Sequence, residues 1–138
     1  MKFKKDSQDI ITPTKGHPTD AGMDIYSPVD YQVAPHSISD RINLGVGFEV
    51  PMGYVGIISE RSSQGKKGVH TLGNVVDHGY TGNVHVTVKN NSDEPYIINK
   101  GDRICQIYFC AILNDTLEEV DSFEQTERGN GAHGSTGI

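Results

Sequence analysis

The 138-residue chain has no tryptophan and only two cysteines, and none of its apolar runs reaches the length of a membrane-spanning helix. Cys105 and Cys110 lie five apart on one apolar run, so in a strand they project to opposite faces and are unsuited to a mutual disulfide. Two thiols are also too few for the His or Cys, Pro-Cys-x-x-Cys zinc set of the nucleoside deaminases. With no leader-like stretch, the chain reads as a reduced, soluble, cytoplasmic protein. Positive charge is scarce: the net charge of −6 argues against general affinity for nucleic acid or for anionic membranes. A polyanion has to be met here by local positive groups or a bridging metal. No internal repeat and no second-domain boundary is visible, and the length fits one domain around one core.

Glycine, by contrast, is abundant, and Pro, Asn, Asp and Gly recur between short β-branched runs. Strand-like alternation occurs at Val46, Phe48 and Val50, at Val55 and Ile57, and most clearly at Val84, Val86 and Val88 with His85, Thr87 and Lys89 between them. Turn-rich segments at 51–53, 90–95 and 99–102 separate these runs. This spacing predicts an all-β sandwich or small barrel of half-buried antiparallel strands. Residues 61–68 fit at most one helical turn, weakened by Gly65 and Gly68. A β domain over 1–114 is then followed by an acidic extended connector over 115–127 and a flexible glycine-rich arm over 128–138.

Five segments carry chemistry. Asp24 stands two residues after Gly22, at the expected start of a strand. Arg61, Ser62 and Ser63 offer a guanidinium and two hydroxyls, a set suited to phosphate oxygens. Asn74-Val75-Val76-Asp77-His78-Gly79-Tyr80-Thr81-Gly82 reads as a hairpin that presents Asp77, Tyr80 and main-chain groups to a ligand. Gln106 falls on the strand face opposite Cys105, Ile107 and Phe109, where an amide needs a backbone or ligand partner. The end of the chain interleaves glycines with Arg128, His133, Ser135 and Thr136, supplying converging N–H groups, a charge, a flat ring for a nucleobase and two hydroxyl donors. Each segment alone also fits a plainer role: a turn, a surface loop, an ordinary hairpin or a frayed terminus.

In this order and spacing the segments resemble the five motifs of the trimeric deoxyuridine triphosphatase family: Ala-Gly-x-Asp, Arg-Ser, apolar-Asp-x-x-Tyr-x-Gly, Gly-Asp-Arg-Ile-x-Gln, and an Arg-Gly tail ending in Gly-Ser-Thr-Gly. The resemblance covers residues 21–137. It implies a jelly-roll or distorted-barrel subunit, a homotrimer with active sites shared between subunits, and Mg2+-assisted hydrolysis of dUTP to dUMP and pyrophosphate. Asp77, Arg61 and Gln106 correspond to the catalytic positions, and Asp24 to the carboxylate that reaches the hydrated magnesium through water. Ser62, Ser63, Asn74, Val76, Tyr80, Arg128, His133, Gly134, Ser135 and Thr136 correspond to substrate-binding positions. Tyr80 corresponds to the ring packed on the deoxyribose.

The chain departs from the family pattern at three places. Asn74 stands where the family usually has Gly, Gln64-Gly65 where it has Leu-Ala, and His133 where it often has Phe. Imidazole also stacks on a base, so the activity survives these changes, whereas the part played by Asn74 stays open. The nearest competing enzyme is deoxycytidine triphosphate deaminase, whose catalytic glutamate is replaced here by Thr87. Another class of reading is a nucleotide-switched regulator acting on a protein partner through its tail.

Overall fold

A computed structural model describes residues 1–131 as eleven strands and one turn of helix. In chain order these are β1 (Lys2–Lys5), β2 (Met23–Tyr26), β3 (Tyr31–Val33), β4 (Ile42–Asn43), β5 (Val46–Glu49), β6 (Tyr54–Ser59), α1 (Ser62–Gly65), β7 (Val69–Leu72), β8 (Val75–Val76), β9 (His85–Asn90), β10 (Tyr96–Ile98) and β11 (Arg103–Ala111). All pairings between these strands are antiparallel. The sheets run β2-β11-β6-β8, β4-β9-β7, β1-β5 and β10-β3. This is the all-β architecture expected from the alternation and the turns, and it agrees with the jelly-roll fold that the resemblance implies. The single helical turn also forms, and Gly68 leaves it in the left-handed region (φ 73°).

One core joins the sheets through Ile25, Leu44, Val46, Ile58, Val84, Val86, Val88, Ile104 and Ile107, all nearly inaccessible to solvent. In β9 the expected alternation places Val86 and Val88 inside, with Thr87 and Lys89 half-buried between them. In β6 the expected inner face is reversed. Gly56 and Ile58 face the core, while Val55 and Ile57 are half-buried on the other side. The reason lies in the neighbours of Gly56: a side chain there would meet Phe109, Val76 and Ile107 at 3.1–3.3 Å, so their bulk occupies the position a larger residue would fill. In β11 the register shifts between Arg103 and Cys105, and this bulge buries Ile104 and Cys105 in succession. After it Gln106 lies opposite Cys105 and Ile107, as the alternation predicts.

From residue 112 to 131 no strand or helix forms. Leu113, Leu117 and Phe123 stand almost fully exposed there. Among the described residues, no helix is long and apolar enough to cross a membrane.

Candidate active site

Register brings the first group of candidate residues together. Asp24 of β2 lies opposite Gln106 of β11, and Gln106 lies opposite Ser59 of β6, two residues before Arg61. Asp24 is bracketed by two guanidinium groups: Arg61 Nε donates to Oδ1 at 2.8 Å and Arg103 Nη1 to Oδ2 at 3.3 Å. Its side chain is only 14% exposed, so these charge-assisted contacts are partly shielded from water. Burial, and after it the charge of Asp24, pushes the neighbouring Cys105 thiol far above its ordinary range, leaving a neutral core residue.

The amide of Gln106 is fixed from two sides. Nε2 donates to the Glu60 carbonyl at 3.0 Å, which leaves one N–H for a ligand. On the other side a side chain at Gly22 would come within 2.4 Å of Oε1, so the glycine of Ala-Gly-x-Asp makes room for this amide. The Glu60 carboxyl lies below its usual range, chiefly because its own backbone N–H donates to it, with His70 and the Thr71 backbone adding to the effect.

Ser62 and Ser63 are exposed on α1, directly after Arg61. The turn is held by Gln64, whose Oε1 accepts the Arg61 backbone N–H at 2.9 Å, one half of a capping box. Gln64 is buried, and its Nε2 donates to the Ile104 carbonyl at 2.7 Å and to the Tyr96 hydroxyl at 3.1 Å.

The hairpin carries the second group. Asn74 accepts the Ile58 N–H on its carbonyl at 2.8 Å and donates from Nδ2 to the Thr71 carbonyl at 3.1 Å. Its Oδ1 is buried without a hydrogen-bond partner among the described residues. Val76 is buried against β6, whereas Asp77 and Tyr80 are exposed. Tyr80 is not loose: its hydroxyl donates to the Asn83 carbonyl at 2.7 Å, and its ring lies so close to Gly82 that a side chain there would be 2.5 Å from the hydroxyl. His78 Nδ1 bonds the Val50 carbonyl at 2.8 Å, and Asn83 Nδ2 reaches Asp6, so the hairpin is fastened to the residue after β5 and to the N-terminal segment.

A single chain does not bring the two groups together. Gln106 is level with Ser59, while Asp77 leaves the sheet beside Val55, one residue past the Gly56–Val76 pair. At strand spacing this is about 13 Å along the strands and about 10 Å across them. A cavity of 440 Å³ adjoins the hairpin through His78, Gly79, Tyr80 and Thr81 but is otherwise walled by β1, β5 and Val50, and none of Asp24, Arg61, Asp77 or Gln106 lines it. In the tail, Arg128 is exposed and donates from Nε to the Gly131 carbonyl at 3.2 Å. His133, Gly134, Ser135 and Thr136 lie outside the described residues.

Arg103, Gln64 and Asn83 were not among the candidates. Arg103 is legible inside Gly-Asp-Arg-Ile-x-Gln, three residues before Gln106. Gln64 and Asn83 carry no signal of their own, because beside a local contact each, to Arg61 and to Tyr80, their partners lie far off in the sequence.

Among the described residues no three His, Cys, Asp or Glu side chains gather to hold a metal ion. Both oxygens of Asp24 are engaged by arginines, although each keeps a further lone pair. Such a donor set does not fit a protein-caged ion. It would suit a hydrated magnesium ion held by Asp24 through water.

The family model of dUTPase matches residues 8–137. The deoxyuridine 5'-triphosphate nucleotidohydrolase of Saccharomyces cerevisiae is 39% identical, over 99% of this chain and 94% of its own length. That of Rabbitpox virus is 36% identical, over 100% and 93%. Among solved structures, a mutant of the Staphylococcus bacteriophage 80alpha dUTPase with dUpNHpp superimposes with a TM-score of 0.90 at 29% identity, over 99% of this chain and 98% of that one. A mutant dUTPase from phage phi11 of S. aureus, described for its coordination of a structural Mg(II) ion, gives 0.82 at 26% identity, over 90% and 98%.

Proposed function

Because the chain belongs to the dUTPase family, we propose that its two half-sites combine between subunits of a homotrimer to hydrolyse dUTP to dUMP and pyrophosphate. The activity is that of a dUTP diphosphatase, and the observation that carries the assignment of residues is the separation of the half-sites. One end of the β2-β11-β6-β8 sheet holds the phosphate-binding groups Arg61 and Gln106, and Asp77 and Tyr80 leave the sheet at the level of Val55, toward the other end of β6. Neither half can act alone.

Asp77 takes the proton of the water that attacks the α-phosphorus. Charge that builds on the phosphoryl oxygens is met by Arg61, whose Nε is pinned by Asp24 so that its outer nitrogens remain for phosphate. Gln106 contributes the N–H not used by Glu60. Ser62 and Ser63 add hydroxyl donors, and no covalent nucleophile is needed. Asp24 would hold, through water, a magnesium ion carried on the triphosphate, and that ion would supply charge neutralisation. Tyr80, braced over Gly82, packs on the deoxyribose and leaves no room for a 2′-hydroxyl. The hairpin backbone around Asn74 and Val76 reads the uracil edge, and Arg128, His133, Gly134, Ser135 and Thr136 close over the base and the terminal phosphates.

The test is a steady-state assay of dUTP, dCTP, dTTP and UTP with magnesium, with product identification. Formation of dUMP and pyrophosphate from dUTP alone is expected. Release of ammonia from dCTP would overturn the assignment.

A further inference from the structure

Gln64 stands where the related family usually has leucine, and a buried position of this kind needs only packing. An amide there has to satisfy three hydrogen-bonding groups or be destabilising. All three are satisfied, and by groups from three separate segments. Oε1 takes the backbone N–H of Arg61, and the two Nε2 hydrogens go to the Ile104 carbonyl and to the hydroxyl of Tyr96. The distances are 2.9, 2.7 and 3.1 Å, and the side chain is almost wholly shielded from solvent.

The anchors are not scattered. Arg61 is itself one of the phosphate-binding groups. Ile104 lies in the β11 bulge, between Arg103, which holds Asp24, and Gln106, the second phosphate-binding group. One buried side chain therefore spans the two elements whose separation determines whether Arg61 and Gln106 reach the same phosphate. The backbone pairing of β6 with β11 sets the level of Gln106 against Ser59, and beyond it the bond from Gln64 to the Ile104 carbonyl is fully buried, whereas those from Gln106 to the Glu60 carbonyl and from Arg61 to Asp24 of β2 are only partly buried. The geometry points to Gln64 as a positioning residue for the triphosphate half of the site, a role taken in this chain by an amide strap where an apolar side chain would only fill space. This rests on the functional reading above and deepens it.

The experiment compares wild type with Gln64→Leu and Tyr96→Phe in the full-length protein. Three quantities are measured: the thermal midpoint, kcat and KM for dUTP with magnesium, and the affinities for dUpNHpp and for deoxyuridine, which lacks phosphate. In Gln64→Leu, kcat falls by about 10- to 100-fold, the scale of loss from a misplacement of about 1 Å. The dUpNHpp affinity falls by at least about tenfold while that for deoxyuridine stays within about twofold, because the hairpin is untouched. Tyr96→Phe removes one of the three contacts and shifts the same affinity ratio in the same direction by a smaller factor. A folded Gln64→Leu protein with wild-type kinetics and an unchanged ratio overturns the proposal. So does a parallel loss of both affinities, which marks a general structural role. Should Gln64→Leu not fold, Tyr96→Phe decides: a shifted ratio supports the strap and a wild-type ratio refutes it. Absence of dUTP turnover in the wild type counts against the functional reading instead, since the affinity ratio is read without turnover.

Discussion

Asp77 is exposed, one residue beyond a buried valine, and no hydrogen bond among the described residues commits its carboxylate to a structural task. Asp77→Asn should therefore fold and bind dUpNHpp nearly as well as wild type while kcat drops by about 10²- to 10⁴-fold, the usual contribution of a general base. Paired binding and turnover measurements check this, and near-normal kcat would remove Asp77 from the role. Tyr80 differs because its setting is imposed by a glycine. Gly82→Ala places a methyl group 2.5 Å from the Tyr80 hydroxyl, so the ring has to move away. The preference for dUTP over UTP, expressed as the ratio of kcat/KM values, should then fall by roughly tenfold or more. An unchanged ratio in folded protein would show that Tyr80 does not gate the sugar. Glu60 bears on stability. Its folded pKa lies below the ordinary 4.5, so its contribution is present above that value and is lost as the pH falls through the folded pKa. Thermal midpoints of Glu60→Gln should decline less on acidification through this window than those of wild type, and parallel curves would show that the carboxylate contributes nothing.

Among the elements, β11 and β6 decide how well the site could be read in advance. Gln106 was legible as the polar member of an apolar strand, and the alternation after the bulge put it on the face where Asp24 also lies. The inner face of β6 was not legible, because Gly56 offers no hydrophobic signal although Phe109, Val76 and Ile107 crowd onto it. Gly22 is a similar case at the functional end. In the sequence it looks like turn chemistry, and in the fold it is the space beside the Gln106 amide. Gly22→Ala should displace Gln106 and lower kcat/KM for dUTP by about tenfold or more, as misplaced phosphate ligands do. A melting curve alongside the kinetics separates this from unfolding. Wild-type kinetics would mean that Gln106 tolerates a shifted position.

For the whole molecule the decisive feature is the distance between the half-sites. If a site joins Gln106 of one subunit to Asp77 of another, two inactive proteins complement each other. Asp77→Asn and Gln106→Ala, unfolded and reassembled together, should regain activity, because some mixed sites draw the native residue from each parent. Wild-type chains diluted among either variant provide the reference. Mixed assemblies confirmed by mass that show no recovery would refute the shared site.

What the sequence determined by itself was the chemistry and the class of fold. Short β-branched runs between Gly, Pro, Asn and Asp specify antiparallel strands through local sterics and alternating burial, and ordered motifs name the residue types that meet a nucleotide. The tertiary structure decided which of those residues meet. Strand register set Asp24 beside Gln106 and Arg61, moved Asp77 away from them, and supplied Gln64 and Arg103 with partners up to 79 residues distant in the chain. Such partners leave no mark in local sequence, because a hydrogen bond to a distant carbonyl or carboxylate constrains position rather than composition.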